Sequence, residues 1–362
     1  MNIINKIRKN SYEQSNLNSV YCRELIDEIN NGKYDFVHIH YDCLFHIIPF
    51  LSCKTIGFTS ADEKAEICKK EFGYDEVATA RLEESDTEED FAATRVAENI
   101  HYNSEPENFT KSTAFTGRVN IFANKTGIIV LDEEKLTEAN SVDDMITIAT
   151  IPNYSQVTKG SIVATIKIIS YGVSTYKLTK VASLAISTIR LKTPKYSSAH
   201  LITTKISRGT SEKAIGAIRK RTDTLGLSLN VNKDIPHVQS ILEEAITEVK
   251  SDIILILTAS ATSDISDVAP MAIKSLGGKI LRYGIPVDPG NLLFLGELNG
   301  MPIIGLPGCA KSPAINGADW VISRVVCDHT PNKHEFARMG LGGLLKEISS
   351  RPMPRVQSRI RK

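Results

Sequence analysis

Five consecutive large aliphatic residues, Ile253-Ile254-Leu255-Ile256-Leu257, run into Thr258. A strand sends successive side chains to opposite faces, so a strand that is apolar at every position has no face for water. Such a strand belongs in a sheet covered on both sides, the usual state of a parallel sheet with crossover helices. The flanking sequence agrees. Residues 200–206 and 228–232 read as strands, and residues 211–224 and 237–250 as helices. Strands alternating with helices predict an α/β domain. In open sheets of this kind ligands sit beyond the carboxyl ends of the strands. Three loops fall there: residues 207–210, 258–267 and 307–312.

Turn residues concentrate in residues 285–313. Two apolar runs, 292–295 and 303–306, read as strands joined at Asn299-Gly300, a hairpin signal. Asp288-Pro289-Gly290-Asn291 precedes the first run and Pro307-Gly308 follows the second. Glycine lets backbone approach a ligand closely, and proline fixes φ. Ser312, Pro313 and a helical pattern from Ala314 to Val326 come next. A glycine loop, a small hydroxyl and a helix N-terminus together favour an anion. The plain alternative is a hairpin and a turn with no ligand.

These motifs carry a family resemblance. G-L-P-G-C-A-K-S-P, residues 305–313, resembles the G-L-P-G-N-P-x-S loop of molybdopterin-binding domains in molybdenum-cofactor biosynthesis. P-V-D-P-G-N-L-L-F-L-G, residues 286–296, resembles their P-G-K-P-x-x-x-G segment, and Asp267-Val268-Ala269-Pro270 their D-V-T-P motif. M-G-L-G-G-L-L-K-E-I-S-S-R-P-M-P-R, residues 339–355, is similar to a branch often fused to a cofactor nucleotidyltransferase. Several separated motifs in one order are more specific than a single glycine motif. The resemblance covers residues 74–355 and implies a three-layer parallel-sheet α/β molybdopterin-binding domain over residues 196–350. A smaller α+β region, residues 74–195, would precede it and line a cleft, and residues 351–362 would form a basic tail.

The resemblance also implies a role in the pathway. Molybdopterin would be ligand or substrate, held by Ser260, Thr262, Pro289, Gly290, Asn291, Gly305, Pro307, Gly308 and Ser312. Asp267 would be the catalytic residue of a molybdopterin molybdotransferase, a transferase that inserts molybdate with Mg²⁺. Asp264 and Asp267 supply the hard carboxylate oxygens that such a cation prefers. As a plainer role, Asp267 caps the helix that follows it. The alternative function is a non-catalytic carrier that delivers the finished cofactor to a molybdenum hydroxylase. Partners would be molybdopterin, molybdate, that hydroxylase or a cofactor nucleotidyltransferase, and a second copy in a homo-oligomer. Arg118, Asn120 and Lys167 would flank the cleft wall, where cationic and amide groups suit a pterin. Two departures stand out. Small residues and hydroxyls occupy residues 258–263 where the family has glycines, and Asn291 stands where the family most often has lysine.

Residues 1–73 do not match the family. A helix is expected over residues 12–29, a strand over 33–40 and a second strand near 54–58, which predicts one or two α/β units. Residues 33–40 resemble an early strand of nucleotide-sugar glycosyltransferases, so a glycosyltransferase-like fragment is a remote reading. His38 and His40 share a strand face with His46 nearby, a metal-ligand pattern that ordinary histidines also produce.

Composition narrows the classes. The chain has 362 residues, 42% hydrophobic and 23% charged, with a net charge of +1. That is ordinary for globular protein and gives no global field for nucleic acid or membrane. The six cysteines form no C-x-x-C pair, so zinc-ribbon and thioredoxin readings lack support and reduced cytoplasmic thiols are expected. The first residues lack the apolar core of a signal peptide, and no run is long enough to span a bilayer.

Overall fold

The computed structural model describes residues 86–102 and 106–345, together with three short strands at 36–38, 54–59 and 76–79. Those strands, Phe36–His38 (β1), Lys54–Thr59 (β2) and Glu76–Thr79 (β3), form a parallel sheet in that order. The sequence places a change of region at residue 73. β3 lies beyond it yet pairs with β2, so this sheet crosses that point. His40, His46, the cysteines at 22, 43, 53 and 68, and the basic tail lie outside the described residues.

An α+β part follows. It runs through Asp86–Glu88 (β4), Glu89–Tyr102 (α1), Phe109–Lys111 (β5), Arg118–Ala123 (β6), Gly127–Leu131 (β7), Glu133–Asn140 (α2) and Ile146–Thr150 (β8). Gln156–Val157 (β9), Ile162–Ile168 (β10), Gly172–Ser174 (β11), Thr175–Leu184 (α3) and Ile189–Lys192 (β12) complete it. An antiparallel sheet β5-β6-β10-β8 and a second sheet β12-β7-β9 share one core. Ala92, Ala93, Val96, Ala97 and Ile100 recur at helical spacing on α1 and bury against it. Thr87, a residue of the type that caps helices, lies in β4 instead, and its hydroxyl meets that of Thr175 at 2.9 Å. Strand pairing with β11 draws the chain through Thr87, and the helix starts two residues later.

The second part holds a six-stranded sheet. Its elements are Ser198–Lys205 (β13), Glu212–Asp223 (α4), Ser228–Pro236 (β14), Gln239–Thr247 (α5), Ile253–Leu257 (β15), Val268–Ser275 (α6), Lys279–Tyr283 (β16), Phe294–Leu298 (β17), Met301–Gly305 (β18), Gly317–Val326 (α7) and Lys333–Arg338 (α8). The order is β14-β13-β15-β18-β17-β16, with the first four strands parallel. The hairpin of β17 and β18 brings β17 and then β16 in antiparallel, and its turn residues Asn299 and Gly300 both have positive φ. Every residue of β15 is buried. Ile253, Leu255 and Leu257 face α4, α7 and α8, while Ile254 and Ile256 face α5 and α6. This is the three-layer arrangement that an all-apolar strand requires.

The two parts meet through β7. Ile129 and Leu131 point into the α+β core, whereas Ile128 and Val130 pack on Cys327 at the end of α7. Burial pushes the Cys327 thiol up to about 12, so this sulfur packs and does not react.

Gly305 closes β18 against the ring of Phe294 on β17, and a Cβ there would fall on the ring atoms. Both residues are fully buried. Gly305→Ala is therefore expected to cost about 1–3 kcal/mol in urea unfolding. Adding Phe294→Leu should recover part of that loss, giving a non-additive cycle. Additive costs would remove this account of Gly305.

Candidate functional site

The sheet order creates a crevice. β13 leads through α4 to β14 on one side, while β15 lies on the other side of β13, so the loops leaving β13 and β15 part. A cavity of about 240 Å³ lies at this switch point, where open α/β sheets hold ligands. It is lined by Thr204 of β13, by Arg208, Gly209, Thr210, Ser211, Lys213 and Ala214 of the following loop and helix start, by Ala259 after β15, and by Lys311 after β18. All three loops expected from the sequence thus converge there. Three exposed cations, Arg208, Lys213 and Lys311, surround it. The first turn of α4 opens onto it, with Ser211 capping the helix by accepting from the Ala214 N–H.

The walls are fixed by internal hydrogen bonds. The Thr204 hydroxyl accepts from the Ala259 N–H at 2.8 Å and lies 2.9 Å from His237 Nδ1. Asp234 accepts from the Thr210 N–H at 2.7 Å and from the Thr203 hydroxyl, and its carboxylate lies where a Cβ on Gly209 would go. Asp234 is thus a counter-charge beneath the loop, and Lys233 pairs with Glu212 beside it. The open side is left to the three cations.

The sequence-named residues divide around this crevice. Ser260 is exposed, with its hydroxyl 3.3 Å from His237 Nε2, and Thr262 is buried with its hydroxyl 3.2 Å from that of Thr258. Pro307 is buried and accepts from the Ala310 N–H, while Gly308 is exposed and faces open space. Ser312 does not line the cavity. Its hydroxyl accepts from the Ala314 N–H at 3.2 Å and closes a turn. The helix expected from Ala314 begins at Gly317, because Asn316 caps it in a box with Asp319. Residues Gly308–Lys311 form a 3₁₀ turn instead, so the helix start that faces the crevice belongs to α4.

Pro289 and Gly290 pack against the start of α7. The Gly317 N–H donates to the Pro289 carbonyl at 2.9 Å, and Gly290 has φ +131° with the Gly317 Cα 2.7 Å from where its Cβ would be. Asn291 is exposed and its carbonyl accepts from the Ile285 N–H. What approaches Gly290 closely is therefore backbone of the same chain. Asp267 stands at the N-cap of α6 without capping it. Its Oδ2 accepts from the Ser263 and Asp264 N–H groups at 2.6 and 3.0 Å. Asp264 Oδ1 accepts from the Ser266 N–H. Among the described residues no group of three or more His, Cys, Asp or Glu side chains lies close enough to hold a metal. The pair fits only an Mg²⁺ that keeps its waters and shares a ligand's oxyanion, not a protein cage. Arg118, Asn120 and Lys167 sit on the β6–β10 sheet, where Asn120 accepts from the Thr165 hydroxyl and Lys167 donates to the Thr116 carbonyl. None of them lines the crevice.

One residue missed in the sequence organises this region. Arg221 of α4 is buried, and all five of its N–H groups are engaged. Nε donates to Asp319 at 2.8 Å, Nη1 to the Ala217 and Ala310 carbonyls, and Nη2 to those of Ser312 and Ala314. Only a planar fork of donors can span these acceptors. Arg221→Met should destabilise the fold by about 3–5 kcal/mol, since Asp319 and three loop carbonyls lose their partner. Arg221→Lys should rescue little. Hydrogen exchange over residues 308–316 that is unchanged in either variant would contradict this assignment.

A larger cleft, about 990 Å³, lies between the α+β part and helices α7 and α8. Tyr154 donates its hydroxyl to Glu335 Oε1 at 2.7 Å, His329 Nε2 lies 2.9 Å from the same oxygen, and the two rings stack. Burial and the Glu335 carboxylate push the Tyr154 phenol up to about 12. Burial holds the His329 imidazole below its usual value, outweighing the attraction of Glu335. Burial works to raise Glu335, but hydrogen bonds from Tyr154, the Asn332 N–H and His329 hold it lower. Both depressed groups bind protons more readily unfolded, so their stabilisation is present at neutral pH and lost on acidification. It falls first as pH drops below 6.5 toward the folded His329 value, then below 4.5 for Glu335. The thermal midpoint should decline from pH 7 to pH 5, and His329→Gln should flatten that part of the profile. A parallel profile in the variant would exclude His329.

No family model matches the chain, and no curated protein matches its sequence. Among solved structures it is similar to the molybdopterin biosynthesis moea protein from Pyrococcus horikosii, at 13% identity and a TM-score of 0.30, over 57% of this chain and 68% of that one. It is also similar to a molybdenum cofactor biosynthesis protein from Pyrococcus furiosus, at 15% identity and a TM-score of 0.21, over 60% and 71%. A third likeness is to the GsuK RCK domain, at 8% identity and a TM-score of 0.16, over 72% and 58%. At these scores, any functional reading rests on the residues of the chain itself. No helix among the described residues is long and apolar enough to cross a membrane.

Proposed function

We propose that the chain binds a molybdopterin-type ligand by its phosphate at the β13–β15 crevice and takes part in molybdenum-cofactor biosynthesis. The observation that carries this reading is the convergence of Arg208, Lys213 and Lys311 on a cavity at the sheet's switch point, beside the start of α4. Lys311 belongs to the G-L-P-G-C-A-K-S-P loop that resembles the family, so motif and crevice coincide. A phosphate there meets charge-assisted donors and the positive end of a helix. Thr210 and Ser211 add hydroxyls that adjust to a third oxygen.

Insertion of molybdate is the finer reading. Asp264 and Asp267 would hold a largely hydrated Mg²⁺, which would neutralise the oxyanions brought together. The chain's own groups would bind and orient the ligand, with the phosphate on the cations and the remainder toward residues 258–267. A carrier uses the same binding face without turnover. Molybdate-dependent product formation with and without Mg²⁺ separates the two.

The binding reading is tested by native mass spectrometry of anaerobically purified protein. A bound pterin phosphate is expected, and Arg208→Gln with Lys311→Gln should reduce its occupancy about 10-fold or more, the scale of one charged hydrogen bond. Absence of any pterin mass after reconstitution with molybdopterin, or unchanged occupancy in the folded double variant, would overturn it.

A further inference from the structure

The large cleft contains a buried cation that feels the Glu335 carboxylate but makes no ion pair in contact among the described residues. Arg324 of α7 is 7% exposed and lines the cleft, yet its Nε has no hydrogen-bond partner among the described residues. Its guanidinium lies 4.3 Å from the centre of the Tyr154 ring. An aromatic face offsets part of a buried cation's desolvation but supplies no acceptor. The nearby carboxylates are otherwise engaged. Glu335 serves Tyr154, His329 and the Asn332 N–H, Asp319 is paired with Arg221, and Glu133 with Arg338. Asp132 caps α2, and only the exposed rim residue Glu134 has no partner among the described residues.

Two further features point into the same space. Trp320 lies one turn before Arg324 on α7, half-buried, and presents a ring to the cleft. Tyr154 is held at φ +63°, a left-handed conformation costly for a bulky residue, and this places its ring beneath the guanidinium. Arg190 of β12 also lines the cleft. The volume is at the upper end of the range for small-molecule sites.

We propose that this cleft is a second ligand site, separate from the β13–β15 crevice, which takes a small aromatic oxyanion with Arg324 as its counter-ion and Trp320 as the face for its ring. A carboxylate or a phosphate satisfies the geometry, since each presents two oxygens to a guanidinium fork. The ring fills the space along Trp320, where offset stacking adds to burial.

Trp320 is the only tryptophan of the chain, so its fluorescence reports on this cleft directly. Full-length protein is titrated with phenyl phosphate, with benzoate and with neutral benzyl alcohol. A saturable change is expected with at least one of the oxyanions and not with the alcohol, and the tighter probe names the anion class. Arg324→Gln should weaken that probe about 10-fold or more. Should this variant not fold, the thermal midpoint of the wild type is read instead and should rise with the same probe. Arg208→Gln with Lys311→Gln should leave the titration unchanged, which separates this site from the crevice. An equal response to benzyl alcohol, an unchanged affinity in folded Arg324→Gln, loss of the signal in the crevice variant, or no midpoint shift would each overturn the proposal.

Discussion

The guanidinium of Arg221 is the contact on which the functional face depends. A buried cation is costly unless its donors are all met, and here they are. Residues 308–316 contain a 3₁₀ turn and extended backbone whose carbonyls have few sheet or helix partners. Arg221 supplies those partners from α4, and the ion pair with Asp319 joins the same helix to the first turn of α7. The position of Lys311 at the crevice follows from this one side chain.

The glycines and prolines of the motif loops answer first to packing. Gly305 admits the Phe294 ring, and Gly290 admits the backbone of Gly317. The Pro289 carbonyl then receives the N–H that begins α7. A fold that presses a loop against a helix start and an aromatic ring against a strand needs residues without a Cβ at both places whether or not a ligand is near. This explains how a sequence can keep the motif's glycines while Asn291 departs from it.

The sequence revealed those parts of the fold that rest on local pattern. The apolar run of β15 gave the covered parallel sheet, Ser211 and Thr224 bounded α4, and Asn299-Gly300 gave the hairpin. Where pairing across the chain prevailed, local pattern misled. Thr87 is a reasonable cap by type, but its strand partner comes from β11. At the site, the three loops, and with them Arg208, were legible from the rule for strand ends, whereas Lys213 and Arg221 were not, because basic residues on a helix usually face solvent. The bond from Tyr154 to Glu335 spans 181 positions, and the contact of Arg324 with the Tyr154 ring is equally remote, so no spacing could announce either.

The segment clamped by Arg221 has one further property. Lys311 is part of the crevice wall and Ile315, four residues on, is part of the wall of the larger cleft. One short stretch of backbone is thus a partition with a cavity on each side. A molecule that displaced it from one side would do work on the other, and thermodynamic reciprocity makes that work the same in both directions. Stiffness in the partition, set by how firmly a single guanidinium grips its carbonyls, would then fix how strongly the two compartments sense each other.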